Sequence, residues 1–520
     1  MRLLFLLLST VFHFSGYCAT LFVTETGAGS NDGTSWSNAF PAESLQMAIN
    51  LANPGDEVWV ACGTYFPTTT TDRNSSFSMR NDIAIYGGFQ GTESSLSQRS
   101  LSCGSCSVLS GDIGINSDIN DNSYTVVSNT QLDASAILDG FYIVNGNDDR
   151  SPTSDGNGLG GGLYNHGHGA TGFCDPTIRN CIFENNRASW GAGAFNNAYN
   201  QGSSFPTYLN CIFYNNHAYI EAGGMDTYAV GGSGGPTVIN SIFYENTAAT
   251  NVGAMYVWGG NSGGNCHVVL INTAFINNHA LNGYGGAFIS DSQDESGGTT
   301  SGSASVTIQN CIVWGNTATN QGQQFYIRGT ASEVIAHNSL IDIAAASQPA
   351  PHTLSMTSSN VLNTDPLLLD MINGRGIDAC WLTNDDGLQL TTLSPGLNSG
   401  DNTFNTSSID LLQNPRVDNG TIDIGPYEFQ SSTTSIQESL LLDQSEVTIY
   451  PNPTNGQVTI LGSKSELEEI KLFNAFGQII SANSFNVSYN EASTIIDLSS
   501  LRQGMYYIKT TTTANKVFKK

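Results

Sequence analysis

Between Asn180 and Asn310 the chain repeats one motif five times: Asn180-Cys-Ile-Phe-Glu-Asn-Asn186, Asn210-Cys-Ile-Phe-Tyr-Asn-Asn216, Asn240-Ser-Ile-Phe-Tyr-Glu-Asn246, Asn272-Thr-Ala-Phe-Ile-Asn-Asn278 and Asn310-Cys-Ile-Val-Trp-Gly-Asn316. The leading asparagines lie 30, 30, 32 and 38 residues apart, a period that belongs to stacked-coil proteins. In Thr177-Ile-Arg-Asn-Cys-Ile-Phe183 the apolar step from Ile178 to Cys181 breaks strict alternation. Residues three apart cannot share one face of a strand, so the chain must bend between them. The residue at the bend is Asn, which tolerates left-handed backbone angles. Short strands meeting at an Asn corner in every coil describe a parallel β-helix, with equivalent residues stacked roughly 5 Å apart. Phe183, Phe213, Phe243 and Phe275 then stack inside, Cys181, Cys211 and Cys311 fill the neighbouring inward column, and the asparagines hydrogen-bond along the stack. Gly, Asn, Thr and β-branched density, with almost no helix-forming charge, argues against a helical solenoid.

Four of the repeats are followed by a small-residue turn and an apolar step: Gly191-Ala-Gly-Ala-Phe195, Ala222-Gly-Gly-Met225, Gly253-Ala-Met255 and Gly285-Gly-Ala-Phe288. The loops beyond them, such as Gly231–Pro236 and Asp291–Ser303, vary between coils and are where function is expected.

Residues 1–19 read as a signal peptide: Arg2, an apolar run from Leu3 to Phe14, then Ser15, Gly16 and Ala19. That run is too short to span a bilayer, and no later stretch could do so as a helix. A net charge of −27 argues against nucleic acid or anionic membrane as partners. In the oxidising compartment that export implies, Cys103-Gly-Ser-Cys106 could close a small disulfide loop.

From Glu43 to Ala52 the apolar positions Leu45, Ala48, Ile49 and Ala52 follow helical spacing, ended by Asn53-Pro-Gly55. This helix is expected to cap the first coil and protect its sheet edge. Asn31-Asp-Gly-Thr-Ser-Trp36, Pro54-Gly-Asp-Glu-Val-Trp-Val-Ala61, Gly63-Thr-Tyr65 and Ile85-Tyr-Gly-Gly-Phe89 resemble the start of secreted bacterial right-handed parallel β-helix proteins of the pectate-lyase-like class. The Phe-x-x-Asn and Gly-Gly-Ala repeats resemble those of polymorphic outer-membrane proteins. The resemblance implies an all-β, right-handed parallel β-helix over residues 20–430, with repeats clearest at 137–330. Motifs at Asp365-Pro-Leu-Leu368, Asn398-Ser-Gly-Asp401 and Asp423-Ile-Gly-Pro-Tyr-Glu428 resemble a closing module, 361–430, expected to finish the stack with short strands.

Residues 431–444 read as a linker, after which composition changes. No lysine occurs up to Ser463, and six fall between Lys464 and Lys520. Alternating strands from 445 to 520 predict a small β-sandwich. Tyr450-Pro-Asn-Pro453, Asn474-Ala-Phe-Gly477, Leu498-Ser-Ser-Leu501 and Gly504-Met-Tyr-Tyr507 resemble the type IX secretion C-terminal sorting domain. That implies export through the type IX machinery, engaged by residues 445–520, to the cell surface (outer membrane attached) or the extracellular space.

Function is less sharply written. The expected role is adhesion or binding of a polysaccharide or a host or cell-surface protein. The alternative is a polysaccharide lyase or glycoside hydrolase. Asp148-Asp149 and His168 resemble, in order, two polygalacturonase motifs, but the upstream Asn-Thr-Asp and downstream Arg-Ile-Lys partners are missing. Glycosidic cleavage needs two correctly spaced carboxylates; a solvated loop is the competing reading. Lyases need a cationic base, and the arginines Arg179, Arg187 and Arg328 are scattered. An Arg with carboxylates converging in one groove would favour an enzyme. No cofactor is required; Asp112, Asn116, Asp118 and Asn120 place oxygens that could take Ca²⁺ or form an Asx-rich turn. Trp190, Tyr219, Tyr228, Trp258, Tyr284 and Trp314 could line a binding face or serve as core caps.

Overall fold

The structure is a computed structural model that describes residues 18–102, 106–154, 156–260, 263–293, 302–343, 354–355, 361–430, 448–461, 470–474, 479–481, 486–489, 493–510 and 514–520. The signal segment up to residue 17, the linker, Cys103 and most of the loop Asp291–Ser303 lie outside the described residues. The chain divides into two compact units, Met1–Ser432 and Thr433–Lys520.

The first unit is a parallel β-helix. A coil such as 177–197 holds four short strands, Thr177–Arg179, Ile182–Glu184, Arg187–Trp190 and Ala194–Asn197. Each pairs in parallel with its equivalent one coil on, giving sheets of thirteen, nine, six and seven strands. The first corner is left-handed throughout: Asn180, Asn210, Asn240, Asn272 and Asn310 have φ between 47° and 55°. A second left-handed corner follows at Asn185, Asn215, Glu245, Asn277 and Gly315. The third lies in the glycine-rich turn, at Gly191, Ala222, Val252, Gly285 and Gly322.

Inside, the Phe183, Phe213, Phe243 and Phe275 rings stack at centroid spacings of 4.5, 4.6 and 4.6 Å, within 3° of parallel. Cys181, Cys211 and Cys311 are fully buried beside them. A second buried ladder runs through Asn186, Asn216, Asn246, Asn278 and Asn316. Each Nδ2 donates to the next Oδ1 at 2.8–3.0 Å, and a second proton of Asn246 reaches the Phe213 carbonyl at 2.8 Å. The corner asparagines also join, Asn210 to Asn180 and Asn272 to Asn240 at 3.1 Å. These amides satisfy one another, which is what allows a polar column inside a core.

The N-terminal helix spans Leu45–Leu51 and buries Leu45, Ala48 and Ile49 in the main core beside Val23 and Val58. Residues 361–430 do not extend the stack with strands as expected. They fold back over the outer face of the nine-stranded sheet, where Ile182, Ile212, Ile242 and Ile312 pack against Trp381, Leu388, Leu390, Leu411 and Ile424. The reason is the apolar outward column itself: the coils cannot cover their own outer face, so another segment must remove it from water. Tyr244 Oη donates to the Ile372 carbonyl at 2.8 Å, and the Asn310 amide clasps Asp401.

Cys106 is a free thiol and Cys380 is disulfide-bonded, so Cys103-Gly-Ser-Cys106 is not closed by a disulfide. The second unit has a four-stranded and a three-stranded antiparallel sheet around Val458, Ile460, Leu472, Ile496, Ile508 and Val517, the expected sandwich. Among the described residues no helix is long and apolar enough to cross a membrane.

Candidate functional site

The seven-stranded sheet carries the chemistry. Along Met225–Tyr228, Met255–Trp258, Phe288–Asp291 and Phe325–Arg328, alternation points Met225, Met255, Phe288 and Phe325 into the main core. The outward positions then form two columns across the paired strands. One holds Asp226, Tyr256, Ile289 and Tyr326; the other holds Tyr228, Trp258, Asp291 and Arg328.

Loops and turn residues fold over these columns and build an aromatic layer outside the helix core. Tyr164, Phe195, Tyr228, Tyr256 and Trp258 are its buried floor, and Trp190, Tyr199, Tyr284 and Tyr326 remain partly exposed above it. Tyr284 and Tyr326 lie 4.7 Å apart between ring centroids, and Tyr199 lies 5.7 Å from Tyr228. Four of the six aromatics singled out in the sequence, Trp190, Tyr228, Trp258 and Tyr284, thus share one face. The other two do not. Tyr219 sits on the six-stranded sheet and donates to Asn147 Oδ1 at 2.8 Å. Trp314 lies under the folded-back module.

A charge network occupies the centre of this face. Arg328 Nε donates to Asp291 Oδ2 at 2.6 Å, its Nη2 pairs with the same carboxylate, and Nη2 donates to Tyr256 Oη at 2.6 Å. The Tyr256 hydroxyl in turn donates to Asp291 Oδ2 at 2.6 Å. Burial alone would pull the Arg328 guanidinium down, but Tyr256, Asp291 and Glu221 together hold it above its ordinary value. Glu221 is pushed up by burial despite the hydrogen bond from Asn251 Nδ2, 2.7 Å away, and the nearby Arg328. Asp226 is raised well above the usual carboxylate range, by burial and then by Glu221, and its Oδ1 has no hydrogen-bond partner. A carboxyl pushed up by burial, a paired carboxylate and a guanidinium therefore sit side by side.

Access decides what they can do. Asp226, Tyr256 and Asp291 expose 2%, 2% and 0% of their surface, whereas Arg328 and Glu221 are half-buried with an exposed edge. The face presents aromatic rings, one guanidinium and one carboxyl to solvent, and holds its remaining acids beneath them.

The other sequence candidates do not join this charge network: His168 borders the face at Tyr199, and Asp148 and Asp149 are engaged by arginines elsewhere. Asp148 is fully buried and forms a two-point pair with Arg150, Nε to Oδ1 and Nη2 to Oδ2 both at 2.7 Å. Asp149 pairs with Arg73 at 3.1 Å. Both arginines pack on the Tyr124 ring, at 4.0 and 4.2 Å. His168 stacks near His166 and Tyr199, at 5.6 and 5.3 Å, with no contact to either aspartate among the described residues. In the acidic segment, Asp112 accepts from the Ser117 amide at 2.9 Å, and Asp118 accepts from the Asn120 amide and side chain at 3.1 and 2.8 Å. Asn116 Oδ1 accepts from Ser117 Oγ at 3.3 Å. These oxygens cap their own turns. Among the described residues no three His, Cys, Asp or Glu side chains gather to hold a metal ion.

Residues 448–520 match the family described as a secretion system C-terminal sorting domain, in agreement with the type IX signal expected there. The sorting domain marks the chain for export to the cell surface or the extracellular space. No curated protein matches the chain. Among solved structures, the crystal structure of pectate lyase Pel9A is 13% identical, over 80% of this chain and 97% of that one, with a TM-score of 0.41.

Proposed function

We propose that this exported β-helix binds a polysaccharide along the outer face of its seven-stranded sheet. The carrying observation is the group of partly exposed rings, Trp190, Tyr199, Tyr284 and Tyr326, packed with a buried aromatic floor in one cluster on the face that carries Arg328. Flat rings offer the CH faces of sugars an apolar platform at low entropic cost, and the guanidinium can hydrogen-bond hydroxyls at its edge. Rings fixed by packing are already arranged for a ligand, which lowers the cost of binding.

A second reading has its own observation. Arg328 with Asp291, Glu221 and Asp226 is the convergence of an Arg with carboxylates that chain cleavage would use, and a raised carboxyl suits a general acid. Binding is preferred because Asp226 and Asp291 lie beneath the surface that a sugar could touch. The test is to incubate the purified chain with a polysaccharide panel and measure retention together with unsaturated ends and reducing sugar. Retention without product supports binding. Product that disappears in Glu221→Gln supports cleavage. Neither retention nor product contradicts both.

A further inference from the structure

We infer that a second site, separate from the aromatic face, takes an anionic sugar carrying a carboxylate or a sulfate ester. It is a cavity of about 650 Å³, within the usual range for small-molecule sites. Three segments far apart in sequence meet around it: the loop after the strand Ala84–Phe89, the Asn180 corner and Gln413 of the folded-back module.

The sign of the cavity stands out against the chain. Acidic residues number 44 against 17 basic ones, yet Arg99 is the one charged side chain among the described lining residues, and none is a carboxylate. Arg99 is held in place from behind. Its Nη1 donates to the Gly87 and Asp139 carbonyls at 3.1 and 3.2 Å, and its Nη2 to Asp139 Oδ1 at 2.6 Å. This leaves Nε–H and the second Nη2 hydrogen without an acceptor among the described residues.

Asp139 does not cancel that charge by itself, because it also accepts Arg179 Nε at 2.6 Å and Asn180 Nδ2 at 2.7 Å. The other carboxylate beside Tyr86, Glu57, accepts from the Trp59 indole at 2.7 Å and is not among the described residues that line the cavity. A guanidinium with spare planar donors is suited to a carboxylate or sulfate oxygen pair.

The rest of the wall fits a sugar body. Leu96 and Leu101 supply an apolar surface. Asn180 is partly used, with one Nδ2 hydrogen donated to Asp139 and its Oδ1 accepting from Asn210 Nδ2 at 3.1 Å, and the Ser97 and Ser100 hydroxyls are paired with Ser95 and Ser102. Gln413 is exposed, and its side-chain amide makes no hydrogen bond among the described residues. The unspent donors on the described lining residues therefore include those of Arg99 and Gln413 and the second Nδ2 hydrogen of Asn180.

The test is calorimetric titration of the full purified chain with D-glucuronate, D-glucose 6-sulfate and D-glucose. Either or both anions should bind, at least about tenfold more tightly than glucose, with an affinity that falls as salt rises. Gln413→Glu breaks no hydrogen bond among the described residues and sets a carboxylate in the wall, so it should weaken the anion by about tenfold or more. Tyr284→Ala, on the aromatic face, should leave that affinity unchanged even if polysaccharide binding is lost, which separates this site from the one proposed above. No binding of either anion, glucose bound as tightly, or an unaffected Gln413→Glu chain would overturn the assignment.

Discussion

Arg328 and Asp291 are register partners on neighbouring coils, joined by Nε to Oδ2 at 2.6 Å, with the Tyr256 hydroxyl 2.6 Å from the same oxygen. Asp291 is fully buried, and the guanidinium is its ion-pair partner. Arg328→Ala should destabilise the helix by about 3 kcal/mol or less, because the arginine is itself partly exposed. Arg328→Lys should recover only part of this, since an ammonium cannot reproduce the two-point contact. Urea unfolding of both variants checks the order.

Asn246 is satisfied on every side: it donates to Asn278 and Phe213 and accepts from the Asn216 side chain and backbone. Asn246→Leu leaves several of those buried groups without partners and should cost at least about 3 kcal/mol. Asn215, exposed and bonded to Asn185 at 2.7 Å, should cost about 1–2 kcal/mol when changed to Ala, from the lost hydrogen bond and the left-handed corner. Equal losses would contradict the ladder.

Burial pushes the Asp386 carboxyl up to about 7, against hydrogen bonds from Tyr427, Thr383 and the Leu382 amide. The folded state then holds a proton that the unfolded chain, near pH 4, has already released. Stability is fully present below that unfolded value and is lost as pH rises through about 7. The β-helix should therefore melt at a higher temperature at pH 5.5 than at pH 8. Asp386→Asn should flatten part of that slope; an unchanged slope would remove this carboxyl from the account.

Truncation after Phe429 removes the segment that matches the sorting domain. The shortened protein should accumulate in the periplasm, read by fractionation and immunoblot. Normal surface display would contradict the sorting role.

The coil interior was legible because its period converts directly into contacts. One Phe per repeat becomes one stack, and one Asn per bend becomes one left-handed corner, as at Phe213 and Asn210. The path of residues 361–430 was not, because its partners lie 127 residues away at Tyr244–Met371 and 191 away at Glu184–Arg375, and no local pattern records such pairings. The candidate site was half legible. Trp190, Tyr228, Trp258 and Tyr284 stand out as aromatics, while Arg328 reads as one of several scattered arginines, Asp291 marks only the start of a loop and nothing local distinguishes Asp226. Aligning the coils on their apolar steps, Met225, Met255, Phe288 and Phe325, would have placed those three on the outward face with Trp258. What stayed hidden is burial by the covering loops.

The central claim, polysaccharide binding on the aromatic face, is tested most directly by affinity electrophoresis of the purified chain through gels containing a panel of soluble polysaccharides. At least one polysaccharide should retard the parent chain. The Tyr284→Ala, Tyr326→Ala double variant should lose about tenfold in affinity while keeping its melting temperature within a few degrees. Free migration of the parent through every gel, or a double variant held as strongly as the parent, would contradict it.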